Sequence, residues 1–225
     1  MKKLIFIAAC ICAFMYIFIL KHQSSSTEEN VETTGTVETE VNETLLEKED
    51  TNVNGNHITF KGVPIDGTLK NFVRRMEKAG FYHDGDKGGA AMLTGDFAGY
   101  KGCTVTVSTL DQKDLVSHIT VWFPQRETWG DLSGDYFSLK KLLTQKYGTP
   151  SVCTEKFQSS FVKDDSSRMH AVEFDRCRYS TTFKSPKGTI ILSIAHQGID
   201  ACYVELRYFD KINSGIITNE ALKDL

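Results

Sequence analysis

Residues 103–108, Cys103-Thr104-Val105-Thr106-Val107-Ser108, alternate strictly between apolar and hydroxyl side chains. A period of two is typical of a strand that buries one face and leaves the other open. Residues 118–123, His118-Ile119-Thr120-Val121-Trp122-Phe123, repeat the pattern. The other predicted strands are residues 91–97, 177–183, 190–194 and 202–208. Together these segments predict a large antiparallel sheet with one apolar face.

Two segments change to a helical period. The apolar residues of 69–76 recur at i, i+3, i+4 and i+7, and those of 139–147 recur at i, i+3, i+4 and i+8. Each segment predicts a short helix with one apolar stripe, which is the arrangement of a helix that lies on a sheet. The expected boundary residues are Asp66 or Thr68 and Gly80 for the first helix, and Ser138 and Gly148 for the second.

The order of these elements repeats within the chain. A helix followed by strands occurs in residues 56–124 and again in residues 133–213, with extra residues inserted near 158–168. The predicted fold class is therefore α+β, a tandem α-β-β-β repeat with two helices packed on one face of an antiparallel sheet. This domain, residues 56–225, is expected to follow an N-terminal apolar helix and a disordered acidic tether.

The arrangement of a helix on an antiparallel meander, repeated once, resembles the architecture of the β-lactamase-inhibitor-like fold. Residues 57–209 also resemble uncharacterised bacterial envelope proteins that carry a domain of unknown function. The stretches that carry this second resemblance are Asp96-Phe97-Ala98-Gly99-Tyr100, Thr109-Leu110-Asp111-Gln112-Lys113-Asp114-Leu115-Val116-Ser117 and Tyr208-Phe209-Asp210-Lys211-Ile212-Asn213. The first resemblance implies a shape, and neither implies active-site residues.

The N-terminus carries an apolar run of 17 residues, Leu4 to Leu20, behind two lysines. This length approaches the ~20 residues that span a bilayer, so residues 1–23 are interpreted as an uncleaved signal anchor. A cleaved signal peptide is the second interpretation, because three serines follow the run. The third takes Ile7-Ala8-Ala9-Cys10 as a lipobox, which resembles the bacterial lipoprotein signal and makes Cys10 the acylated residue.

Residues 24–55 carry nine Asp and Glu against one Lys and contain no aromatic residue. Such a segment cannot bury enough apolar surface to offset the entropy of ordering, so it is predicted to be a disordered linker. The whole chain has a formal net charge of −3, whereas residues 56–225 hold 22 Lys and Arg against 20 Asp and Glu. A nearly neutral domain lacks the concentrated basic face that nucleic-acid binding needs.

Four cysteines fall in the exported part of the chain: Cys103, Cys153, Cys177 and Cys202. In an oxidising compartment, four cysteines favour two disulfides with three possible connectivities. We expect Cys153 to pair with Cys177, because both fall in one half of the domain, which leaves Cys103 with Cys202. Buried free thiols are the alternative. A zinc site is not expected, since no C-x-x-C spacing occurs.

The sequence contains no G-x-S-x-G elbow, H-E-x-x-H, Walker A or Rossmann glycine motif, and no cofactor or metal is expected. Residues 83–89 lack the later oxygen ligands of a calcium loop and are interpreted as a glycine-rich loop between helix and strand. Cys202 and His196 can be drawn as a nucleophile and base. However, the strand alternation points Cys202 inward, which favours a structural thiol.

The open face of the sheet is the predicted functional surface. Trp, Tyr and Arg among small hydroxyl side chains have the composition of a protein-recognition surface. Trp129 is a second candidate, although a Trp in the linker between the halves can equally seal the two half-cores together. The candidate binding residues are His118, Thr120, Trp122, Trp129, Arg178, Tyr203 and Arg207.

We therefore expect a non-catalytic, membrane-tethered envelope protein whose domain lies on the periplasmic or extracellular side. The membrane contact is expected through residues 4–20, and the partner is expected to be another envelope protein. One alternative is a small-ligand or glycan carrier, which an enclosed apolar pocket favours. Another is an unrecognised hydrolase, which a cluster of His118, His196 and an acid within hydrogen-bond distance favours.

Overall fold

An eight-stranded antiparallel sheet dominates the structure, a computed structural model that describes residues 55–110, 113–158, 162–199 and 201–223. The predicted anchor, residues 1–23, and residues 24–54 of the predicted linker lie outside the described residues. The strands of this sheet are β3 (Tyr82–Lys87), β4 (Ala90–Phe97), β5 (Tyr100–Leu110), β6 (Lys113–Trp122), β7 (Val152–Phe157), β8 (Cys177–Ser185), β9 (Gly188–His196) and β10 (Cys202–Asp210).

Two short strands and the helices complete the described part of the chain. The two-stranded hairpin is β1 (Thr59–Phe60) with β2 (Val63–Pro64), and the helices are α1 (Leu69–Lys78), α2 (Trp129–Tyr147), α3 (Asp165–Glu173) and α4 (Lys211–Ala221). The predicted α+β class with a large antiparallel sheet is confirmed. In the described residues, no helix is both long and apolar enough to span a bilayer.

The order of strands across the sheet is β3-β4-β5-β6-β10-β9-β8-β7. One helix followed by four strands therefore occurs twice, and the two halves join where β6 pairs with β10. The prediction of three strands per half was wrong, because the edge strands β3 and β7 were missed. Both carry charged residues in place of apolar alternation, and residues 83–89, predicted as a loop, form β3 and its turn. In the second half, helix α3 lies between β7 and β8 and overlaps the predicted insertion near residues 158–168.

The core lies on one face of the sheet. Val105 is opposite Val121, Val121 is opposite Leu206, and Leu206 is opposite Leu192. Directly opposite residues of an antiparallel pair point to the same face, and all four are at most 1% exposed. The helix side chains in the same core are Phe72, Val73 and Met76 of α1, and Leu132, Tyr136, Leu139 and Leu143 of α2.

The helix ends agree partly with the sequence signals. The Thr68 hydroxyl caps α1, and Gly80, with a φ of 94°, lies just beyond its end, as predicted. Gly148 ends α2, also as predicted. The N-cap of α2 is Thr128 and not Ser138, which lies inside the helix. The prediction failed because the first turns of α2 contain two glycines and two aspartates that interrupt the apolar period.

A buried carboxylate holds the two ends of the domain together. Asp210 is fully buried, and its Oδ1 lies 3.1 Å from His57 Nδ1 while its Oδ2 accepts a hydrogen bond of 3.0 Å from the amide of Ile58. The same Oδ1 accepts from the amides of Ile212 and Asn213, at 3.0 and 2.9 Å. Asp210 therefore fixes the first described residues of the domain against the start of α4.

The structure contradicts both predicted disulfides, since Cys103, Cys153, Cys177 and Cys202 are free thiols. In the register of β7 with β8, the residue opposite Cys153 lies four positions from Cys177. At ~3.3 Å per residue, this separates their Cα atoms by about 13 Å, beyond the ~7 Å that a disulfide allows. Cys103 and Cys202 lie on β5 and β10, with β6 between them. The prediction failed because location in the same half of the domain does not bring two cysteines close enough to form a disulfide.

Candidate interaction surface at the seam of the sheet

The two halves of the sheet present a row of large polar and aromatic side chains along their junction. On the face opposite the core, Trp122 is paired with Glu205, Thr120 with Arg207, and His118 with Phe209. We call this surface the seam face. Its residues are His118, Thr120 and Trp122 of β6 and Tyr203, Glu205, Arg207 and Phe209 of β10.

Glu205 organises the centre of the seam face. Its Oε2 accepts a hydrogen bond of 3.0 Å from Trp122 Nε1, and its Oε1 lies 3.0 Å from Arg207 Nε. The Glu205 side chain is 18% exposed, whereas that of Arg207 is 39% exposed. The carboxylate is therefore mostly occupied within the domain, and Arg207 is the more exposed side chain of the pair.

Ring contacts continue the same row in both directions. The Trp122 and Tyr203 ring centroids are 6.2 Å apart, and the His118 and Phe209 rings stack at 5.6 Å with an interplanar angle of 20°. The Arg207 guanidinium carbon lies 6.0 Å from the centroid of the Phe209 ring. These contacts restrict the rotamers of side chains that are half-exposed, so little conformational entropy remains to be lost on binding.

The environment of the seam face shifts two pKa values. Burial lowers the pKa of His118 and the nearby Arg207 guanidinium lowers it further, so His118 is neutral near pH 7. Burial also raises the pKa of Tyr203, with a smaller contribution from the Glu205 carboxylate. Near neutral pH, the His118 and Tyr203 side chains are therefore both uncharged.

Five of the predicted site residues meet on this surface: His118, Thr120, Trp122, Tyr203 and Arg207. Arg178 does not join them. It is exposed on β8, and β9 separates β8 from β10.

Of the two interpretations of Trp129, the structure contradicts the one that makes it a binding residue of the open surface. This residue is 6% exposed at the start of α2, where its ring packs against Phe157 at 4.9 Å and Tyr179 at 5.0 Å. Its amide donates to Asp165 Oδ2 at 3.1 Å. Trp129 is a core residue of the second half and has no part in the open face.

Sequence reasoning did not select Glu205 or Phe209 as site residues. The signal was available, because the alternation of β10 that places Tyr203 and Arg207 on the open face places Glu205 and Phe209 there too. What the alternation could not supply is the cross-strand register with β6. That register puts Glu205 directly opposite Trp122.

A groove with a cavity volume of about 410 Å³ begins beside Phe209. Thr189 and Phe209 line its sheet side, and Lys184, Lys211 and Ser185 contribute polar groups. Both lysines are exposed. The groove therefore extends the seam face towards the start of α4 and gives that end of the surface a positive charge.

The arrangement that favoured a hydrolase is not present. His118 is opposite Phe209, which is opposite Thr189, whereas His196 lies seven residues further along β9. At ~3.3 Å per residue, the two histidines are about 23 Å apart along the sheet. His196 instead contacts the Gly198 carbonyl oxygen at 2.9 Å and Asp175 Oδ1 at 3.3 Å.

A second polar cluster, which the sequence did not indicate, lies between α2 and the edge strand β7. Lys140 Nζ donates to Glu155 Oε1 at 2.5 Å and to Cys153 Sγ at 3.2 Å. Cys153 Sγ lies 3.6 Å from Thr181 Oγ1, which is 2.5 Å from the Tyr136 hydroxyl. Burial is the largest influence on Glu155 and raises its pKa, but hydrogen bonds with Lys140, Cys153 and Tyr136 and the charge of Lys140 together outweigh burial and hold that pKa below its ordinary value.

No group of three or more metal-binding side chains is found in the part of the chain that the structure describes. Comparisons with protein-family models, curated proteins and solved structures find no match to this chain.

Proposed function

We propose that this protein is a non-catalytic, membrane-tethered interaction module of the cell envelope, which binds another protein through the seam face. The observation that carries the proposal is the double use of Glu205, which accepts a hydrogen bond from Trp122 Nε1 through one oxygen and forms an ion pair with Arg207 through the other. Trp, Tyr and Arg dominate binding energy at protein interfaces. The seam face brings all three together in a fixed arrangement.

The charge of the surface supports a particular kind of partner. Arg207 and the lysines of the adjacent groove, Lys184 and Lys211, give one end of the seam face a positive charge. Trp122 and Tyr203 give the other end an aromatic surface. A protein segment with acidic side chains next to an apolar one complements both ends.

The location in the cell is part of the proposal. The apolar run from Leu4 to Leu20 supports membrane attachment, and the acidic residues 24–55 support a spacer that holds the domain away from an anionic surface. On this proposal the domain lies on the periplasmic or extracellular side. Signal anchor, cleaved signal and acylation at Cys10 remain three distinct routes to the same compartment.

We also propose that the two halves form a tandem repeat, in which α1 and α2 are equivalent helices on one face of the sheet. The mirrored strand order supports this, because each half contributes four consecutive strands that run from an edge to the seam. In this view β6 and β10 are the equivalent last strands, and the seam face lies at the pseudo-twofold axis.

A glycan carrier is the second candidate function. The observation that favours it is the Trp122–Tyr203 ring pair beside the Glu205 carboxylate, since aromatic faces with adjacent hydrogen-bonding groups also suit sugars. The two functions differ in what Arg207 contributes, because its accessible charge serves an acidic protein segment and has no comparable use against a neutral sugar.

The proposal is tested by affinity capture of the full chain after cross-linking in intact cells. Trp122→Ala and Arg207→Ala are each expected to weaken capture of a specific protein by roughly tenfold or more. Arg178→Ala is the matched control, since it removes an exposed Arg from the same face outside the seam face and is expected to leave capture unchanged. Equal capture by all three variants contradicts the proposal, and binding to neutral glycans that survives Arg207→Ala supports the carrier.

A further inference from the structure

The two edges of the sheet differ in how they are protected from pairing. Edge strand β3 contains a register shift between His83 and Gly85 and carries Asp84, Asp86 and Lys87. Bulges and charges of this kind prevent a further strand from adding to a sheet. Edge strand β7 pairs with β8 over six consecutive residues without a register shift. Of the two edges of the described sheet, β7 is therefore the one that is regular enough to extend.

The hydrogen-bond phase of β7 shows which of its backbone groups point outward. The Gln158 amide donates to the Arg176 carbonyl at 2.8 Å, which continues the register of β7 with β8. Antiparallel strands alternate between bonded and non-bonded pairs, so even-numbered residues are bonded to β8. The amides and carbonyls of Cys153, Glu155 and Phe157 point away from the described sheet.

We infer that β7 pairs antiparallel with β7 of a second copy of this chain, about a twofold axis at Thr154. A twofold axis perpendicular to the sheet leaves each side chain on its own face, and opposite residues of an antiparallel pair share a face. The two β7 strands therefore pair about an axis that lies at a residue, where that residue is opposite its counterpart in the second copy, and not between two residues. An axis at Glu155 places two carboxylates opposite each other. An axis at Thr154 places Thr opposite Thr, a favourable cross-strand pair, and Val152 opposite Lys156.

Charge complementarity on the helix-covered side of β7 favours a second copy of this chain as the partner that pairs with this edge. In this register the second copy's Glu155 lies opposite Cys153, whose Sγ is already 3.2 Å from Lys140 Nζ. Lys140 is thus placed between its own Glu155, at 2.5 Å, and the Glu155 of the second copy. The axis repeats this arrangement, so two lysines and two glutamates alternate across the interface.

The consequence is one sheet that runs through both copies. Since the twofold axis is perpendicular to the sheet, both seam faces lie on the same side. This part of the inference rests on the proposed function, because two binding surfaces on one side give avidity towards a partner that repeats. The strand pairing itself does not depend on the proposed function.

Cysteine cross-linking of the full chain in its native membranes tests the register. In a C153S background, Thr154→Cys is expected to give a disulfide-linked dimer on mild oxidation. Residue 154 of one copy lies directly opposite residue 154 of the other in this register, as a non-hydrogen-bonded pair with Cα atoms ~4.5 Å apart. Val152→Cys is the matched control on the same strand and face. Residue 152 of one copy lies about 13 Å from residue 152 of the other, so this variant is expected to stay monomeric. The C153S variant without a further substitution measures how much dimer forms through the other native cysteines.

The double variant V152C/K156C is expected to recover the dimer, since those two positions are opposite each other in this register. The pairing is contradicted if T154C gives no more dimer than C153S, or if V152C cross-links as well as T154C does.

Charge exchange is a second test that is independent of cysteine chemistry. Lys140→Glu is expected to lower the dimer fraction in sedimentation at least several-fold, and K140E/E155K to restore it. An unchanged dimer fraction in K140E contradicts the inference.

Discussion

Trp122 on β6 donates a hydrogen bond of 3.0 Å to Glu205 on β10, across the junction of the two halves of the sheet. The residues are 83 positions apart in sequence, and the strand register places them directly opposite each other. Glu205 also forms an ion pair with Arg207, whose Nε lies 3.0 Å from Oε1, so one carboxylate contacts both side chains. This relationship connects the fold to the proposed function.

The two tryptophans are expected to affect stability very differently. Trp129→Ala removes a 6% exposed ring that packs on two aromatic residues, and is expected to lower the free energy of unfolding by about 3–5 kcal/mol. Trp122→Ala removes a half-exposed cross-strand contact worth no more than about 1 kcal/mol. Urea unfolding of both variants measures the difference, and equal costs contradict the assignment of Trp129 to the core and Trp122 to the surface.

The Tyr136 hydroxyl and Thr181 Oγ1 form a buried hydrogen bond at 2.5 Å. Tyr136→Phe leaves the Thr181 hydroxyl without this partner, so we expect a loss of about 1–3 kcal/mol in the free energy of unfolding. In T181V the hydrogen bond is already absent, and adding Tyr136→Phe is expected to cost less than it does in the wild type. A double-mutant cycle with no coupling energy shows that the bond does not contribute to stability.

Asp210 is expected to be the costliest polar residue to replace. Asp210→Ala leaves three backbone amides and the His57 ring without their acceptor in a buried site, which is expected to cost about 3–5 kcal/mol. Asp86→Ala is the control, because that side chain is 60% exposed and its removal is expected to change stability by at most about 0.5 kcal/mol. Thermal unfolding of the two variants gives the comparison.

His118 and His196 are expected to give stability opposite dependences on pH. The pKa of His118 is lowered in the folded state by burial and by Arg207, so the unfolded chain binds the proton first and stability falls as pH drops below about 6.5. The pKa of His196 is raised, first by its hydrogen bond to Gly198 and then by Asp175. Its stabilisation is therefore complete below about 6.5 and is lost as pH rises through the folded-state pKa.

Unfolding of His118→Gln and His196→Gln between pH 5 and 8 separates the two effects. We expect H118Q to lose less stability on acidification than the wild type, and H196Q to lose more. If H118Q loses as much stability as the wild type when the pH is lowered, His118 does not titrate in the environment that the seam face gives it.

The sequence predicted those strands whose two faces have different environments. Cys103 to Ser108 alternates because one face is buried and the other is open, and the same holds for the strand that contains Trp122. Edge strands β3 and β7 lack this contrast, because charged residues stand where an alternating strand would carry apolar ones. Local periodicity therefore fails at the edges of the sheet.

Long-range pairing was beyond the sequence for a different reason. The alternation of β10 placed Tyr203 and Arg207 on the open face, but only the register with β6 sets Glu205 against Trp122. The packing partners of Trp129 were equally hidden, since Phe157 and Tyr179 lie far along the chain. Side-chain orientation follows from local sequence, whereas the identity of the neighbour follows from topology.

Site-specific photo-cross-linking in intact cells tests the central claim most directly. A photo-reactive amino acid at position 120 lies in the seam face beside Arg207, and one at position 141 lies on the exposed side of α2 as the control. We predict a discrete protein adduct from position 120 that is lost when Arg207→Ala is added, and no such adduct from position 141. Adducts of equal yield from both positions, or an adduct at 120 that is unchanged by R207A, contradict the account.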